Sequence, residues 1–205
     1  MPAHPHVYLA SRSLRRRELL KQIGVSFEVL LLRESPSRPA DFDETPHPGE
    51  DPLDYARRVA DAKAQVAWLR LMQRRLRRHP ILTADTTVAI ERDILGKPAD
   101  HSEAASFLRR LSDRSHVVHT AVAVAMDGHV EVRVSSTQVR LRAMDEEEIQ
   151  QYVATNEPMG KAGAYAIQGR AALFVQSISG SYSGVMGLPL FETGELLARF
   201  GRRVL

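Results

Sequence analysis

A single carboxylate stands inside an apolar, β-branched run of the sequence. Asp85 lies within the stretch 81–90, beside small and hydroxyl residues that cannot shield it. A buried carboxylate is costly unless a cation, a metal or hydrogen-bond donors compensate it. Lys97 follows in a Gly-Lys-Pro turn, and this combination suits the activation of water beside a phosphate. The alternative is a strand-end aspartate that caps a turn.

Three consecutive arginines, Arg15, Arg16 and Arg17, follow a predicted helix start at Ser13. Arginines are unfavourable at the positive end of a helix dipole, where acids are preferred, unless an anion binds among them. This conflict between local sequence and local electrostatics predicts an anion site. The alternative is an exposed, arginine-rich helix.

A lysine and a group of acids add to the candidate charges. Lys63 falls on the same face of a predicted long helix as Val59 and Val66, so it points either toward a site or past the apolar face to the surface. A proline-rich loop, 33–52, precedes this helix, and the candidate acids among those it carries are Asp41, Asp43 and Glu44. These acids fit either a metal site or a solvated acidic stretch.

Three further polar residues could contact a ligand. Gln168 stands among small residues, which let a backbone approach a ligand closely. His116 and His119 have the residue type of metal ligands, but no third ligand follows at a recognisable spacing, so we interpret them as strand residues. The sequence carries no Walker-type or dinucleotide-binding fingerprint.

Composition bounds the protein class. With 205 residues and 43% hydrophobic content, the chain predicts one α/β domain. The absence of cysteine excludes disulfides, thiolate metal sites and cysteine nucleophiles, and it agrees with a reducing compartment. No run approaches the roughly 18 apolar residues of a membrane span. We therefore expect a cytoplasmic protein without a leader and without a membrane partner.

The net charge of +3 and the pI near 9.4 raise the question of a polyanionic partner. The densest basic run, 70–79, has no interleaved aromatic residue for base stacking. It continues a helical pattern up to Pro80, so we interpret it as a solvated helix end and expect no nucleic-acid partner. Nucleic-acid binding through this run is the alternative, and it predicts an affinity that falls steeply with salt.

Periodicity and turn signals predict the elements that position these residues. Strands are predicted over 7–10, 27–32, 81–90 and 171–179, with a hairpin over 117–134 and a turn over 180–184. Helices are predicted to start at Ser13, Pro52, Asp100, Asp145 and Pro189.

Seven short motifs occur in one order along the chain and together resemble the Maf family. They are Leu9 to Arg16, Asp43-Glu44-Thr45, Ala84-Asp85-Thr86, Leu95-Gly96-Lys97-Pro98, Glu157-Pro158 with Lys161-Ala162-Gly163, Ile167-Gln168-Gly169, and Gly187-Leu188-Pro189-Leu190. The resemblance covers about 7–197. It implies an α/β fold related to the inosine triphosphate pyrophosphatases, with an elongated mixed sheet flanked by helices. A single domain over 1–205 would place the active site in a cleft between two lobes.

The resemblance also implies an activity: hydrolysis of a nucleoside triphosphate to the monophosphate and pyrophosphate, with a divalent metal such as Mg²⁺, Mn²⁺ or Co²⁺. A glutamine in the Ile-Gln-Gly motif is similar to the branch that acts on dTTP and UTP. Arg15, Thr86 and Gln168 match the family's positions for base selectivity, and Asp85 matches its general base. A carboxamide can pair with the alternating donor and acceptor edge of uracil or thymine, which supports this interpretation independently.

From these residues we expect Asp85 and Glu44 to hold the metal. A set of cations and hydroxyls is expected to bind the phosphates: Ser11, Ser13, Arg16, Lys63 and Lys97. Arg12 and Leu14 depart from the family, which usually has a small residue and a proline there, and the loop before Asp43 is longer, so the substrate range is less certain than the activity. The resemblance also implies a homodimer. The family's septum-formation name suggests an alternative function, a nucleotide-binding regulator of cell division without significant turnover.

Overall fold

The computed structural model describes residues 6–32 and 42–205. Within these ranges, the strands are β1 (His6–Leu9), β2 (Ser26–Val29), β3 (Ile81–Ile90), β4 (Asp93–Leu95), β5 (Ser115–Met126), β6 (His129–Leu141) and β7 (Val175–Ser179). The α-helices are α1 (Leu14–Gln22), α2 (Pro52–Gln73), α3 (His101–Leu111), α4 (Glu146–Ala154), α5 (Tyr182–Met186) and α6 (Leu190–Arg199). Short 3₁₀ helices span Ala162–Ala164 and Arg170–Leu173.

All of these strands form one mixed sheet in the order β2-β1-β3-β5-β6-β7, with β4 beside β3. β1 runs parallel to both β2 and β3, and the remaining pairs are antiparallel. With helices packed against it, this sheet confirms the predicted mixed α/β fold. The strand predicted over 81–90 is confirmed at both ends, and the predicted hairpin is confirmed as the longer pair β5 and β6.

A gap in this sheet positions the candidate carboxylate. β1 pairs with β3 only at Ile81 and Leu82. β4 pairs with the same edge of β3 further along, beginning at Val88. Between these two partners, the edge of β3 over 83–87 faces no strand in the described part of the chain. Asp85 lies in the middle of this gap.

One face of the sheet is covered by α2 through a set of alanines. They are Ala56, Ala60 and Ala64 on the helix and Ala121, Ala123 and Ala125 on β5. Because the distance between packed elements depends on the side chains at their contact, these small residues let α2 approach the sheet closely. The hydroxyl of Thr83 donates to the Ala60 carbonyl oxygen at 2.9 Å, which fixes the helix against β3. Lys63 is therefore carried to within reach of the gap.

The predicted helix starts are confirmed, four of them by capping bonds and the last by α6, which begins directly after Pro189 without a side-chain cap. The side chains of four N-cap residues accept backbone N–H groups of the first turn: Ser13, Asp51, Asp100 and Asp145. Glu148 completes a capping box at α4, because its side chain accepts the N–H of Asp145 at 3.2 Å.

The basic run 70–79 was predicted to stay helical up to Pro80, and this prediction is wrong. α2 ends at Gln73. Arg75 takes a positive φ of 51°, and the N–H of Leu76 donates back to a carbonyl oxygen of the last helical turn at 3.2 Å. This geometry closes the helix as a Schellman motif, which the charge pattern does not reveal.

The strand predicted over 171–179 is only partly correct. β7 begins at Val175, and Arg170–Leu173 forms a 3₁₀ helix instead. The carboxylate of Glu157 accepts the backbone N–H groups of Arg170 and Ala171, at 3.1 and 3.3 Å. A tertiary contact therefore overrides the local strand propensity.

The turn predicted over 180–184 is also wrong, because α5 begins at Tyr182. Ser181 caps this helix by accepting the Gly184 N–H at 3.0 Å. Glycine and serine residues that predict a turn thus supply a helix cap here.

β2 ends at Val29, earlier than the predicted end of the strand over 27–32. Part of the predicted 33–52 loop, 33–41 with Asp41, lies outside the described residues. Its described part, 42–51, contains neither helix nor strand. Among the residues that the structure describes, no helix has the length and apolar character needed to cross a membrane.

Candidate active site

A cleft of about 390 Å³ opens at the gap beside β3. Its walls come from the loop between β1 and α1, from α2 and β3, from the segment 160–168, and from 185–187 at the end of α5. Every residue that the sequence analysis assigned to the site lines this cleft: Ser11, Ser13, Arg15, Arg16, Glu44, Lys63, Asp85, Thr86, Lys97 and Gln168. The fold therefore brings all of them together, and their individual roles stay predictions.

Asp85 is compensated on both carboxylate oxygens. Its Oδ1 lies 2.7 Å from the Lys63 ammonium, and its Oδ2 accepts from the Thr87 hydroxyl at 3.3 Å. The side chains of Asp85 and Lys63 are only 14% and 12% exposed, so the pair is largely removed from water. The alternative interpretations, a strand-end cap for Asp85 and a surface position for Lys63, are both wrong.

A second carboxylate reaches the same ammonium. Glu44 Oε1 lies 2.6 Å from Lys63 Nζ, although the Glu44 side chain is 43% exposed. The ring of Phe42 lies 5.3 Å from Nζ and covers the ammonium from another side. Two carboxylates from separate segments thus converge on one cationic position.

The two converging carboxylates, Asp85 and Glu44, are the residues to compare with the requirements of a metal site. Asp85 and Glu44 offer hard oxygen donors, and Mg²⁺ in particular is often held by one or two carboxylates together with substrate phosphates and water. Within 6–32 and 42–205, no group of three or more histidine, cysteine, aspartate or glutamate side chains could hold a metal. The residues present therefore fit a divalent cation that also takes ligands from an anionic substrate.

The two histidines of β5 belong to the sheet and not to this acidic pair. His116 Nε2 lies 2.8 Å from the Tyr165 hydroxyl, and burial lowers the pKa of His116 to about 4. His119 Nδ1 lies 2.8 Å from the Ser136 hydroxyl. The interpretation of both histidines as strand residues is confirmed.

Arg16 ties three walls of the cleft together. Its Nε donates to the Gly187 carbonyl oxygen at 2.7 Å, Nη1 to the Ser11 hydroxyl at 3.1 Å and Nη2 to the Thr86 hydroxyl at 3.3 Å. Burial lowers the pKa of Arg16, and Asp85 partly offsets this effect. The guanidinium is therefore fixed in place before any ligand binds.

Arg15 turns toward the same end of α5. Its Nε donates to the Met186 carbonyl oxygen at 3.1 Å, and burial lowers the pKa of Arg15. Arg15 and Arg16 are both only partly exposed, so the alternative of an exposed arginine-rich helix is wrong for these two residues. Two desolvated cations at a helix N-terminus strengthen the prediction of an anion site.

Thr86 faces the opposite side of the sheet from Asp85, because successive strand residues alternate. Its hydroxyl accepts from Arg16 and lies 3.2 Å from the Thr120 hydroxyl, which also donates to the Gly184 carbonyl oxygen at 2.7 Å. At the gap in the sheet, the cleft is therefore lined by the acids Asp85 and Glu44 on one face of β3 and by the hydrogen-bond network of Arg16 on the other.

Two turns close the opposite wall. The Gly163 N–H donates to the Gly96 carbonyl oxygen at 3.1 Å, which joins the turn that carries Lys97 to the segment that carries Gln168. Gly163 has a φ of +67°, and a Cβ there would come within 2.8 Å of Val88, so glycine is required. Lys97 and Gln168 are both exposed in the cleft.

Lys161 is a cleft residue to which the sequence analysis gave no role. Its ammonium donates to the main-chain carbonyl oxygen of Glu157. Burial lowers the pKa of Lys161, and the nearby charge of Arg15 lowers it further. Its sequence signals are its place in the Lys161-Ala162-Gly163 motif and its small neighbours, Gly160 and Ala162, which leave a long side chain room to fold back.

The cleft therefore combines a desolvated carboxylate, a second acid, several fixed cations and an exposed carboxamide. Such a site can bind a polyanion, neutralise its charge and remove a proton from water. These are the requirements of a hydrolase that acts on a phosphoanhydride.

Comparison with known proteins agrees with this class. The family model described as "Maf-like protein" matches residues 6–200, and the chain belongs to the Maf family. It is 54% identical over 200 residues to a Nitrosomonas europaea protein named dTTP/UTP pyrophosphatase, covering 98% of this chain and 97% of that protein. A protein of the same name from Aromatoleum aromaticum is 55% identical over 201 residues, covering 98% of each.

Among solved structures, the chain is similar to the Ham1 protein of Staphylococcus aureus, with a TM-score of 0.41 and 16% identity over 66% of this chain and 71% of that chain.

Proposed function

We propose that this protein is a nucleoside triphosphate pyrophosphatase that hydrolyses dTTP and UTP to the monophosphate and pyrophosphate. The observation that carries the proposal is the position of the Lys63 ammonium between the carboxylates of Asp85 and Glu44 in a cleft lined by arginines. Family membership and the names of the relatives support the same reaction.

In the proposed reaction, a water oxygen forms a bond to the α-phosphorus, and the bond from that phosphorus to the oxygen of the leaving pyrophosphate breaks. Asp85 accepts the proton that the water loses. Its hydrogen bonds to Lys63 and Thr87 fix the orientation of the carboxylate, which a general base requires. Most of the rate then comes from positioning and from neutralising charge.

The triphosphate binds among groups that the fold already holds in place. Arg16 is oriented by three hydrogen bonds, and Ser11 and Ser13 lie beside it at the N-terminus of α1. Lys97 enters from the opposite wall, and Lys63 from α2. Hydrogen bonds from charged donors to phosphate oxygens are stronger than those between neutral groups.

A divalent metal such as Mg²⁺, Mn²⁺ or Co²⁺, when bound, supplies further neutralisation of the phosphate charge. Asp85 and Glu44 are the residues that would hold it. The ammonium of Lys63, which pairs with both carboxylates at 2.7 and 2.6 Å, would then exchange these contacts for a phosphate oxygen, which its long side chain can reach.

Base selectivity is proposed to reside in Gln168, Thr86 and Arg15. The carboxamide of Gln168 is exposed in the cleft and can donate to a uracil carbonyl while it accepts from the ring N–H. A purine presents a different edge and a larger ring, which this arrangement does not match.

The proposal also covers setting and partners. We place the enzyme in the cytoplasm as one domain of two lobes over 1–205, as a homodimer with no nucleic-acid or membrane partner. Two arginines of the basic run 70–79 form hydrogen bonds within the chain. Arg74 donates to the Leu31 carbonyl oxygen at 3.2 Å, and Arg78 donates to the Asp127 carboxylate at 3.3 Å. This engagement supports the absence of a polyanionic partner.

A panel of natural and modified triphosphates, assayed for pyrophosphate release with Mg²⁺, Mn²⁺ and Co²⁺, tests the proposal. We expect dTTP, UTP or a modified uridine triphosphate to be the best substrate and the reaction to require one of these metals. A preference for purine triphosphates would contradict the selectivity assigned to Gln168. Binding of dTTP or UTP without pyrophosphate release under any condition would favour the alternative, a nucleotide-binding regulator.

A further inference from the structure

Glu157 is a partly buried acid that the proposed mechanism does not use, and its carboxylate accepts three hydrogen bonds. Oε1 accepts from the Tyr152 hydroxyl at 2.9 Å and from the Ala171 N–H at 3.3 Å. Oε2 accepts from the Arg170 N–H at 3.1 Å. A Cβ on Gly169 would overlap the carboxylate, so this approach is possible only because glycine stands there.

The same residue also holds the other end of this segment. The main-chain carbonyl oxygen of Glu157 accepts from the Lys161 ammonium. The Tyr152 hydroxyl, which donates to Glu157, accepts in turn from the Ala166 N–H at 3.3 Å. Glu157 therefore contacts the segment 161–171 at both ends, at Lys161 through its main-chain carbonyl oxygen and at Arg170 and Ala171 through its carboxylate. Tyr152 links that carboxylate to the middle of the segment at Ala166. This segment carries two cleft residues, Lys161 and Gln168.

The pKa shifts of Glu157 and Tyr152 favour the hydrogen bond between them. Burial opposes ionisation of Glu157, but the N–H groups of Arg170 and Ala171 and the Tyr152 hydroxyl bring its pKa below the usual value. Burial and Glu157 together raise the pKa of Tyr152, so its hydroxyl stays a donor. In the neutral pH range, Glu157 is therefore an ionised carboxylate, and the Tyr152 hydroxyl and the N–H groups of Arg170 and Ala171 all donate to it.

A glutamine alone does not distinguish uracil from cytosine. Rotating its amide by half a turn exchanges donor and acceptor, so it can pair with the edge of either base. An ammonium has donors only, and beside the amide it favours a carbonyl oxygen and disfavours an exocyclic amine. Selection of a keto pyrimidine therefore needs both groups at a fixed relative position.

We infer that Glu157 is a positioning residue that fixes Lys161 and Gln168 relative to each other, so that the cleft selects uracil and thymine triphosphates over cytosine triphosphate. Glu157 acts through these two side chains and contacts no reacting atom. The inference rests on the proposed pyrophosphatase function.

The test compares kcat and KM for UTP and CTP among Glu157→Gln, Glu157→Ala, Tyr152→Phe and the unmodified enzyme. Glu146→Gln is the matched control, because Glu146 is an exposed acid of α4 that pairs with Arg109 at 2.6 Å, away from the cleft. We expect the ratio of kcat/KM for UTP over CTP to fall at least about tenfold in Glu157→Gln, since an amide nitrogen then faces a backbone or hydroxyl donor. Glu157→Ala should fall further, and the control should keep the ratio of the unmodified enzyme.

A merely structural role would lower the melting temperature and the activity toward both nucleotides equally, and an unchanged ratio in folded Glu157→Gln would overturn the inference. If that variant does not fold, the UTP over CTP ratio of Tyr152→Phe is the test, because this variant loses one hydroxyl and keeps the carboxylate with its two backbone donors. A lowered ratio would support the inference, and an unchanged ratio would overturn it. A ratio near one in the unmodified enzyme would overturn the inference while leaving the pyrophosphatase intact. Absence of pyrophosphate release from every nucleotide would overturn the proposed function itself.

Discussion

The ammonium of Lys63 lies 2.7 Å from Asp85 Oδ1 although the two residues come from different elements, α2 and β3. The alanine contact between α2 and the sheet makes this distance possible, because larger side chains would hold the helix farther away. A structural feature of the core thus sets the geometry of the candidate catalytic pair.

Replacing Lys63 by methionine tests this pair. The variant keeps a long apolar stem but leaves Asp85 and Glu44 without their shared cation, and it removes a phosphate ligand. We expect kcat/KM for UTP to fall about a hundredfold and the free energy of unfolding to fall by about 1–3 kcal/mol. Steady-state kinetics and urea denaturation measure the two effects, and Lys21→Met, at an exposed position of α1, is the control. Unchanged kinetics would remove Lys63 from the site.

Glu44→Gln tests the metal site. The substitution keeps an oxygen ligand and the shape of the side chain but removes one negative charge from the pair that would hold the cation. The metal concentration that gives half-maximal pyrophosphate release should rise about 10- to 100-fold, while the rate at saturating metal recovers in part. Titration with Mg²⁺ and Mn²⁺ provides the measurement. The same metal dependence in variant and unmodified enzyme would place the metal elsewhere.

Arg16→Lys tests whether the fixed guanidinium matters or only its charge. A lysine keeps the charge but cannot bond Gly187, Ser11 and Thr86 at the same time. We expect kcat/KM for UTP to fall at least about tenfold, with a larger effect on KM than on kcat. Arg109→Lys, which alters an exposed ion pair with Glu146, is the control. Equal effects of the two substitutions would contradict the role of the guanidinium geometry.

His116 predicts a pH dependence of stability. Its pKa is lowered by burial from 6.5 to about 4, so between these values the unfolded chain binds more protons than the folded one. Stability is therefore complete above about pH 6.5 and falls as the pH drops toward 4, with a loss of about 2 kcal/mol near pH 5. Urea denaturation near pH 7 and near pH 5 measures this loss, which should be absent from His116→Gln. A loss of the same size in both proteins would assign it to other groups.

Local signals in the sequence predict much of the fold. The limits of β3 follow from its β-branched run, and the starts of α1, α2 and α4 follow from residues that can cap a helix. The errors occur where a tertiary contact or a special φ decides. Arg75 ends α2 with a positive φ that its residue type does not announce, and Glu157 winds Arg170–Leu173 into a 3₁₀ helix from a distance in sequence.

The residues of the site likewise divide into those that local sequence signals predict and those that depend on tertiary contacts. Charges that conflict with their local surroundings, such as Arg16 at a helix start and Asp85 in an apolar strand, can be recognised without a structure. Lys161 cannot, because the carbonyl oxygen that orients it belongs to Glu157 and becomes available only through the turn between them. The gap in the sheet that exposes Asp85 likewise depends on where β1 and β4 end relative to β3.

The most direct test of the proposed mechanism is the rate of pyrophosphate release from UTP by Asp85→Asn. The substitution keeps the size of the side chain but removes the proton acceptor. We expect kcat to fall at least about a hundredfold while the melting temperature and UTP binding are largely retained. Asp113→Asn, which alters an exposed pair with Arg140 at 2.5 Å, is the control and should leave kcat unchanged. Undiminished turnover by Asp85→Asn would contradict the role of Asp85 as the general base.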